Sequence, residues 1–160
     1  EYVKLVEGTR CRILDTRKTT PGMRVLEKMA VRLGGGDNHR MGLFDMILLK
    51  DNHIDFAGGI TAAVNGAHEY LRARGKRIPV EVECRSLADV REALAVGGVD
   101  RIMLDNFSVE CIAGRVEVES SGGITSANLR EYAACGVDFI SVGALTHQIK
   151  SLDMSLKACE

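Results

Sequence analysis

Short apolar runs alternate along the chain with longer segments of helical periodicity. The apolar runs predict six strands, near Ile13, Leu48, Val82, Met103, Val118 and Ile140. Helical spacing of apolar residues predicts helices over Met23–Arg32 and Ile60–Arg74, and a third from Ser86 to Val96. Strands that alternate with helices are typical of a parallel α/β sheet.

One sequence unit occurs twice. Ala95–Asn106 (AVGGVDRIMLDN) and Ala133–Ala144 (AACGVDFISVGA) share a helix end, a glycine, Val-Asp, an apolar strand and a polar tip. Such repetition suits stacked βα modules joined by right-handed crossovers. We therefore predict a parallel (β/α) barrel. Because a complete eight-stranded barrel takes about 250 residues, we expect residues 1–160 to form a partial barrel domain, with an N-terminal domain outside this chain.

Two segments fit this picture less well. Phe107–Arg115 spans nine residues, whereas a parallel crossover needs about 10–12, so we expect a deletion or missing residues there. Leu152–Leu156 has the pattern of a helix start or a docking segment.

The stretch from Gly34 to His53 concentrates candidate chemistry. Gly34–Gly36 lets the backbone turn tightly or approach a ligand, because glycine lacks Cβ. A helix C-cap followed by a surface turn explains the same glycines. His39 and Arg40, followed by Lys50 at the end of a buried strand, favour an anion site.

Polar residues also follow the other predicted strands, and in a parallel barrel the strand tips meet on one face. Glu83 is a candidate for binding sugar hydroxyls or Mg²⁺, with a solvated sheet face as the alternative. Asp105 is a second polar residue at a strand tip, and it could equally cap the following loop. Glu81, Glu117 and Glu119 pose the same question, and a buried carboxylate would need a partner. The glycine turns predict a phosphate site at Ser121, Gly122, Gly123, Gly143 and Ala144. Thr125–Ser126 is a candidate N-cap.

Charge and composition narrow the function classes. The net charge of −1 gives no reason to expect nucleic acid binding. Residues 1–50 carry ten Lys/Arg against six Asp/Glu, whereas residues 51–160 carry eleven against sixteen, which suits a small anionic ligand held by the first part. No apolar stretch approaches the roughly 20 residues of a membrane span.

Histidine and cysteine usage adds little evidence for a metal centre. His39 is a candidate ligand contact. We expect His53 and His147 to structure loops and His68 to lie on the surface. No histidine spacing typical of a transition-metal site occurs. The five cysteines lack a CxxC pair, which favours free thiols in a reducing cytoplasm.

Seven motifs taken together resemble quinolinate phosphoribosyltransferase, also known as carboxylating nicotinate-nucleotide pyrophosphorylase. They occur in order over nearly all of the chain: DTRKTTPGMR, GGGDNHRMGLFD, LLKDNHI, EVE, IMLDNF, ESSGGIT and GVDFISVGALTH. The resemblance implies conversion of quinolinate and phosphoribosyl pyrophosphate to nicotinate mononucleotide, pyrophosphate and CO₂, with Mg²⁺, in NAD biosynthesis. It also implies a homodimer or higher assembly. A phosphoribosyltransferase that does not decarboxylate and a non-catalytic phosphate-binding barrel are the alternatives.

The resemblance also assigns roles to particular positions. A quinolinate pocket is implied at Thr16, Arg17, Lys18, His39, Arg40 and Lys50, with Lys18 and Lys50 reaching towards the donor. Glu83 and Asp105 match the acidic pair that faces the ribose and its metal, so the implied catalytic set is Lys18, Lys50, Glu83 and Asp105. The cradle for the 5′-phosphate is implied at Ser121, Gly122, Gly123, Gly143 and Ala144.

Overall fold

The computed structural model describes residues 1–107, 116–150 and 152–158. The elements follow in the order α1 (Tyr2–Leu5), β1 (Arg12–Leu14), α2 (Arg24–Leu33), β2 (Ile47–Leu49), α3 (Asp51–Ala57), α4 (Ile60–Ala73), β3 (Val80–Cys84), α5 (Leu87–Val96), β4 (Arg101–Asp105), β5 (Glu117–Ser121), α6 (Leu129–Ala134), β6 (Phe139–Ser141) and α7 (Ala144–His147). The expectation about Phe107–Arg115 concerns residues 108–115, which lie outside the described part. No helix of the described residues is both long and apolar enough to cross a bilayer.

All six predicted strands are confirmed, and they form one parallel sheet. Its order is β1-β6-β5-β4-β3-β2, so β1 and β2 are its edges. An isolated parallel bridge places Asp37 beside Leu14 of the β1 edge. The architecture is an incomplete parallel β/α barrel, as predicted.

The sheet has two chemically different faces, because successive side chains of a strand point to opposite sides. Val80, Val82 and Cys84 of β3 belong to the apolar core that the sheet forms with the helices. The alternate residues Glu81 and Glu83 are also buried but face the barrel interior. The interior is therefore unusually polar, and the apolar core lies outside the strand ring.

Helix boundaries follow local capping chemistry. The side chain of Ser86 accepts a hydrogen bond from the Asp89 N–H, which starts α5 where the sequence predicted it. Helix α6 begins at Leu129 with Asn128 as its N-cap, so the expected cap at Thr125–Ser126 is wrong. The Asn128 side chain instead accepts from the Thr125 N–H and closes the preceding turn. Residues 152–158 form no helix, so the expectation that a helix starts in this segment is wrong.

Helix α2 lies where its periodicity predicted it, but the residue that it buries is a lysine. Val25, Met29 and Leu33, the apolar positions of the pattern, are 68%, 51% and 81% exposed. Lys28 is fully buried and its ammonium group pairs with the fully buried carboxylate of Asp15. This ion pair, rather than an apolar stripe, sets how α2 faces the barrel.

Replacing Lys28 with alanine should lower the free energy of unfolding by about 3–5 kcal/mol, because it leaves the Asp15 carboxylate buried without its cation. Urea denaturation would measure this change. Arg32→Ala is the matched control, since Arg32 is an exposed cation on the same helix. A loss no larger than that of the control would contradict the structural importance of the pair.

Candidate active site

One cavity of about 580 Å³ opens at the carboxyl ends of the strands. The structure places every site residue predicted from the sequence around it: Thr16, Arg17, Lys18, His39, Arg40, Lys50, Glu83, Asp105, Ser121, Gly122, Gly123, Gly143 and Ala144. This edge is where parallel α/β proteins bind ligands. The chemical roles of the individual residues stay predictions.

Sequence reasoning missed several residues that line the same cavity. They are Leu48, Met103, Glu119, Ile124, Thr125, Ser141, His147 and Gln148. The sequence predicts that His147 structures a loop, whereas it is the last residue of α7 and lies beside Gly143. A Cβ added to Gly143 would lie 2.7 Å from His147 Nε2, so a side chain at this position would force the imidazole ring to shift. His147 follows closely in sequence on Gly143 and Ala144 of the predicted phosphate site, and this spacing could have indicated that it lies at the cavity.

The first side of the cavity carries the cations Arg17, Lys18 and Arg40. The Nε atom of Arg17 is buried and has no hydrogen-bond partner among the described residues. Burial and the charge of Arg17 lower the pKa of Arg40. Since two neighbouring guanidinium groups repel each other, an anion bound between them would relieve that repulsion.

Two contacts hold the loop that carries Arg17 and Lys18. Arg24 donates to the Arg17 carbonyl oxygen at 3.2 Å and to Thr19 Oγ1 at 3.2 Å. Thr146 of α7 donates its hydroxyl hydrogen to the Lys18 carbonyl oxygen at 2.8 Å. The loop is therefore tied both to α2 and to the glycine turn after β6.

The opposite side of the cavity is acidic. Glu83 is buried, and its carboxylate lies 3.3 Å from Lys50 Nζ. Asp105 lies at the tip of the next strand, and its Oδ2 accepts a hydrogen bond from Asn106 Nδ2. Beyond it, Gly122 and Gly123 turn the chain with φ angles of +87° and +61°, which side chains with a Cβ rarely adopt. Carboxylates and exposed backbone groups thus border the same part of the cavity.

The donor atoms on this side fit a hard divalent cation. Glu83 and Asp105 supply carboxylate oxygens to one cavity, and Mg²⁺ prefers one or two carboxylates together with water and substrate oxygens. Lys50 competes for the Glu83 carboxylate, which leaves Asp105 the more available of the two. The residues that are present therefore fit Mg²⁺.

Beneath the cavity lies a polar cluster made of His39, Glu81, Glu119 and Arg101, which we term the interior cluster. His39 Nε2 lies 2.9 Å from a Glu81 carboxylate oxygen and 3.5 Å from a Glu119 carboxylate oxygen. The other ring nitrogen accepts a hydrogen bond from the Arg40 N–H at 2.7 Å. An accepting Nδ1 carries no proton, so His39 is neutral. Its Nε2 lies near both carboxylates but forms no hydrogen bond with a described residue. Burial accordingly lowers the pKa of His39.

Arg101 balances part of the charge in the interior cluster. It donates to Glu119 at 3.2 Å and stacks 4.0 Å from the Phe139 ring centroid. Burial raises the pKa of both Glu81 and Glu119. Among the described residues, His39, Glu81 and Glu119 are the three groups close enough to share a metal ion. Arg101 and a retained proton supply the positive charge that these carboxyls need, so a metal is not required for charge balance.

Comparisons with known proteins place this geometry in context. A family model described as quinolinate phosphoribosyl transferase, C-terminal domain, matches residues 1–157. A relative from Arabidopsis thaliana, the chloroplastic carboxylating nicotinate-nucleotide pyrophosphorylase, is 48% identical over 91% of this chain and 48% of its own length. A probable carboxylating nicotinate-nucleotide pyrophosphorylase from Bacillus subtilis is 44% identical over 98% of this chain and 55% of its own length. The chain thus spans about half the length of the curated relatives that it matches.

Solved structures agree with the sequence comparison. NadC from Streptococcus pyogenes superposes with a TM-score of 0.89 and 46% identity, covering 98% of this chain and 56% of that one. The nicotinate-nucleotide pyrophosphorylase from Francisella tularensis gives a TM-score of 0.89 and 46% identity, covering 96% and 56%. The chain therefore has the same fold as these solved proteins.

Glu119→Gln should reduce the pH dependence of stability. Burial raises the pKa of Glu119 from its ordinary value of 4.5 to about 7. Between these values the folded state binds more protons than the unfolded state, so the free energy of unfolding falls as pH rises and levels off above about 7. Urea denaturation at pH 5 and pH 8 should show a smaller fall for the variant than for the wild type.

Glu69→Gln is the control, because Glu69 is an exposed glutamate on α4, away from the interior cluster. An equal fall in both variants and the wild type would show that Glu119 does not retain its proton.

Proposed function

Because the chain belongs to the quinolinate phosphoribosyltransferase family, we propose that it carries the catalytic site that joins quinolinate to phosphoribosyl pyrophosphate. The products are nicotinate mononucleotide, pyrophosphate and CO₂, a step of NAD biosynthesis. The supporting observation is that one cavity has a cationic side, with Arg17, Lys18 and Arg40, and an acidic side, with Glu83 and Asp105, and that glycine turns border it. A pyridine dicarboxylate suits the first side, and a phosphorylated sugar suits the second.

The cationic side would bind quinolinate. Arg17 and Arg40 offer planar guanidinium groups, which pair with carboxylates through two parallel hydrogen bonds. Lys18 and Lys50 add compact charge towards the donor. Thr16 and His39 line the same cavity. Because His39 is neutral, it would shape the bottom of the pocket and would not supply a positive charge.

The acidic side would bind the phosphoribosyl donor. Glu83 and Asp105 would orient the ribose hydroxyls and hold Mg²⁺, which when bound neutralises charge on the departing pyrophosphate. The turns at Ser121–Gly123 and Gly143–Ala144 line the cavity, and their backbone N–H groups would bind the 5′-phosphate.

The reaction needs positioning more than proton transfer. The pyridine nitrogen of quinolinate already has a lone pair, which forms the bond to the anomeric carbon as the bond to pyrophosphate breaks. Carboxylates near the ribose favour the positive charge of an oxocarbenium-like transition state. When CO₂ leaves, its bonding electrons stay on the ring carbon beside the now cationic nitrogen, and that carbon then takes up a proton.

We further propose that the chain self-associates through the exposed apolar face of α2. Val25, Leu26, Met29 and Leu33 make up this face, each at least half exposed. A single exposed apolar residue is ordinary, but four on one helix form a patch that favours an interface. The family resemblance implies a homodimer or a higher assembly, so we propose that a second copy of this chain covers the α2 face.

We also propose a cytoplasmic location. Cys11 and Cys84 are buried thiols that form no disulfide, as expected in a reducing compartment.

Turnover of quinolinate labelled at its 2-carboxyl group, with phosphoribosyl pyrophosphate and Mg²⁺, tests the proposed reaction. We expect equal amounts of labelled CO₂ and pyrophosphate. Pyrophosphate without CO₂ would indicate a phosphoribosyltransferase that does not decarboxylate. Calorimetric binding of the donor without either product would indicate a binding barrel.

Arg40→Ala should lower kcat/KM for quinolinate by about 10- to 100-fold, because a charge-assisted pair to a carboxylate is lost. Steady-state kinetics would measure this change. Arg91→Ala is the matched control, since Arg91 is exposed on α5. Near-normal turnover of the Arg40 variant would refute its role.

Leu33→Glu should shift the protein towards monomer, because a charge within a buried apolar interface is costly. Sedimentation velocity over a range of concentrations would measure this shift. Tyr70→Glu serves as the control, a partly exposed apolar residue on α4. Unchanged association of the Leu33 variant would exclude the α2 face.

A further inference from the structure

Asn106 has an unusual backbone. Its φ angle of 54° makes it the one non-glycine residue with a left-handed backbone in the described part of the chain. This conformation crowds Cβ against the backbone, although asparagine tolerates it better than most residues. Left-handed non-glycine residues cluster at functional sites, where the surrounding structure holds them.

Two hydrogen bonds tie Asn106 to two different strand tips. Its backbone N–H donates to the Ser121 carbonyl oxygen of β5 at 3.0 Å. Its side-chain Nδ2 donates to the Asp105 carboxylate at 2.8 Å. The residue therefore connects the acid at the end of β4 with the start of the glycine turn after β5.

The same side chain also packs on that glycine turn. A Cβ added to Gly122 would lie 2.4 Å from Asn106 Oδ1 and 3.0 Å from its backbone nitrogen. The carboxamide thus lies between the Asp105 carboxylate and the Gly122 backbone. Displacing it would free both neighbours to move relative to each other.

Core packing does not explain this arrangement. Asn106 is exposed, so water would satisfy its polar groups in another conformation. Nor does it line the cavity, whereas Asp105 and Gly122 do. Asn106 therefore contacts two residues that line the cavity without lining it itself.

We propose that Asn106 is a positioning residue that fixes the Asp105 carboxylate relative to the Gly122–Gly123 turn. The identity of the ligand rests on the proposed function. Under that function, Asn106 sets the spacing between Asp105, which faces the ribose, and the Gly122–Gly123 turn, which faces the 5′-phosphate. Its loss should weaken use of phosphoribosyl pyrophosphate and leave quinolinate binding intact, because Arg17 and Arg40 lie in the opposite wall.

Two variants separate the side chain from the backbone. Asn106→Gly keeps the left-handed conformation without strain but removes the carboxamide. Asn106→Asp keeps the shape but replaces the donor with a second carboxylate against Asp105. Asn65→Asp is the matched control, because Asn65 is exposed on α4 away from the cavity.

Kinetics and calorimetry of the purified protein provide the test. We expect both Asn106 variants to raise KM and Kd for phosphoribosyl pyrophosphate by about 10- to 100-fold, the range typical when a group that orients a ligand-binding residue is lost. The Kd for quinolinate and the Tm should stay close to those of the wild type. A merely structural role would instead lower Tm and the active fraction, without separating the two substrates.

The outcomes separate this inference from the proposed function. Wild-type turnover with unchanged donor KM in both variants would overturn the inference and leave the function standing. Donor binding by the wild type without turnover, weakened in the variants, would overturn the function and support the inference. A wild type that does not bind the donor would overturn both.

Discussion

The structure depends on one geometric constraint, the alternation of side chains along parallel strands held in register. Register pairs Glu81 with Arg101 and Glu83 with Met103, while Asp105 pairs with Ser121. Every second residue of these strands therefore faces the barrel interior. Charged groups collect there in layers, from the interior cluster below to the acids and hydroxyls at the cavity rim. The intervening residues build the apolar core with the helices.

This layering separates the two kinds of charge at the rim. The cations come from the loop after β1 and from the segment before β2, whereas the acids come from β3 and β4. Lys50 and Glu83 meet at the boundary, 3.3 Å apart. Under the proposed function, quinolinate would bind beside these cations and the phosphoribosyl donor beside these acids.

Much of this arrangement follows from local sequence. The strands are short apolar runs that end in polar residues, so their positions and the convergence of their tips could be predicted. The periodicity of α2 predicted a helix but not which face is buried, because that depends on Asp15, a residue distant in sequence. The pairing of His39 with Glu81 and Glu119 and the left-handed conformation of Asn106 depend on contacts between strands. No spacing along the chain reveals them.

The buried Asp15–Lys28 pair shows why a costly interaction is retained. Two apolar residues of similar size would stabilise the fold as well or better, since ion pairs lose their hydration on burial. Asp15, however, also accepts hydrogen bonds from Asn38 Nδ2 at 2.5 Å and from the His39 N–H at 2.9 Å. An apolar side chain accepts neither bond, so the segment that leads to Arg40 would lose its anchor to β1. The Asp15–Lys28 pair therefore positions the segment that carries Arg40 at the cavity. Because Lys28 points inward, the apolar face of α2 points outward.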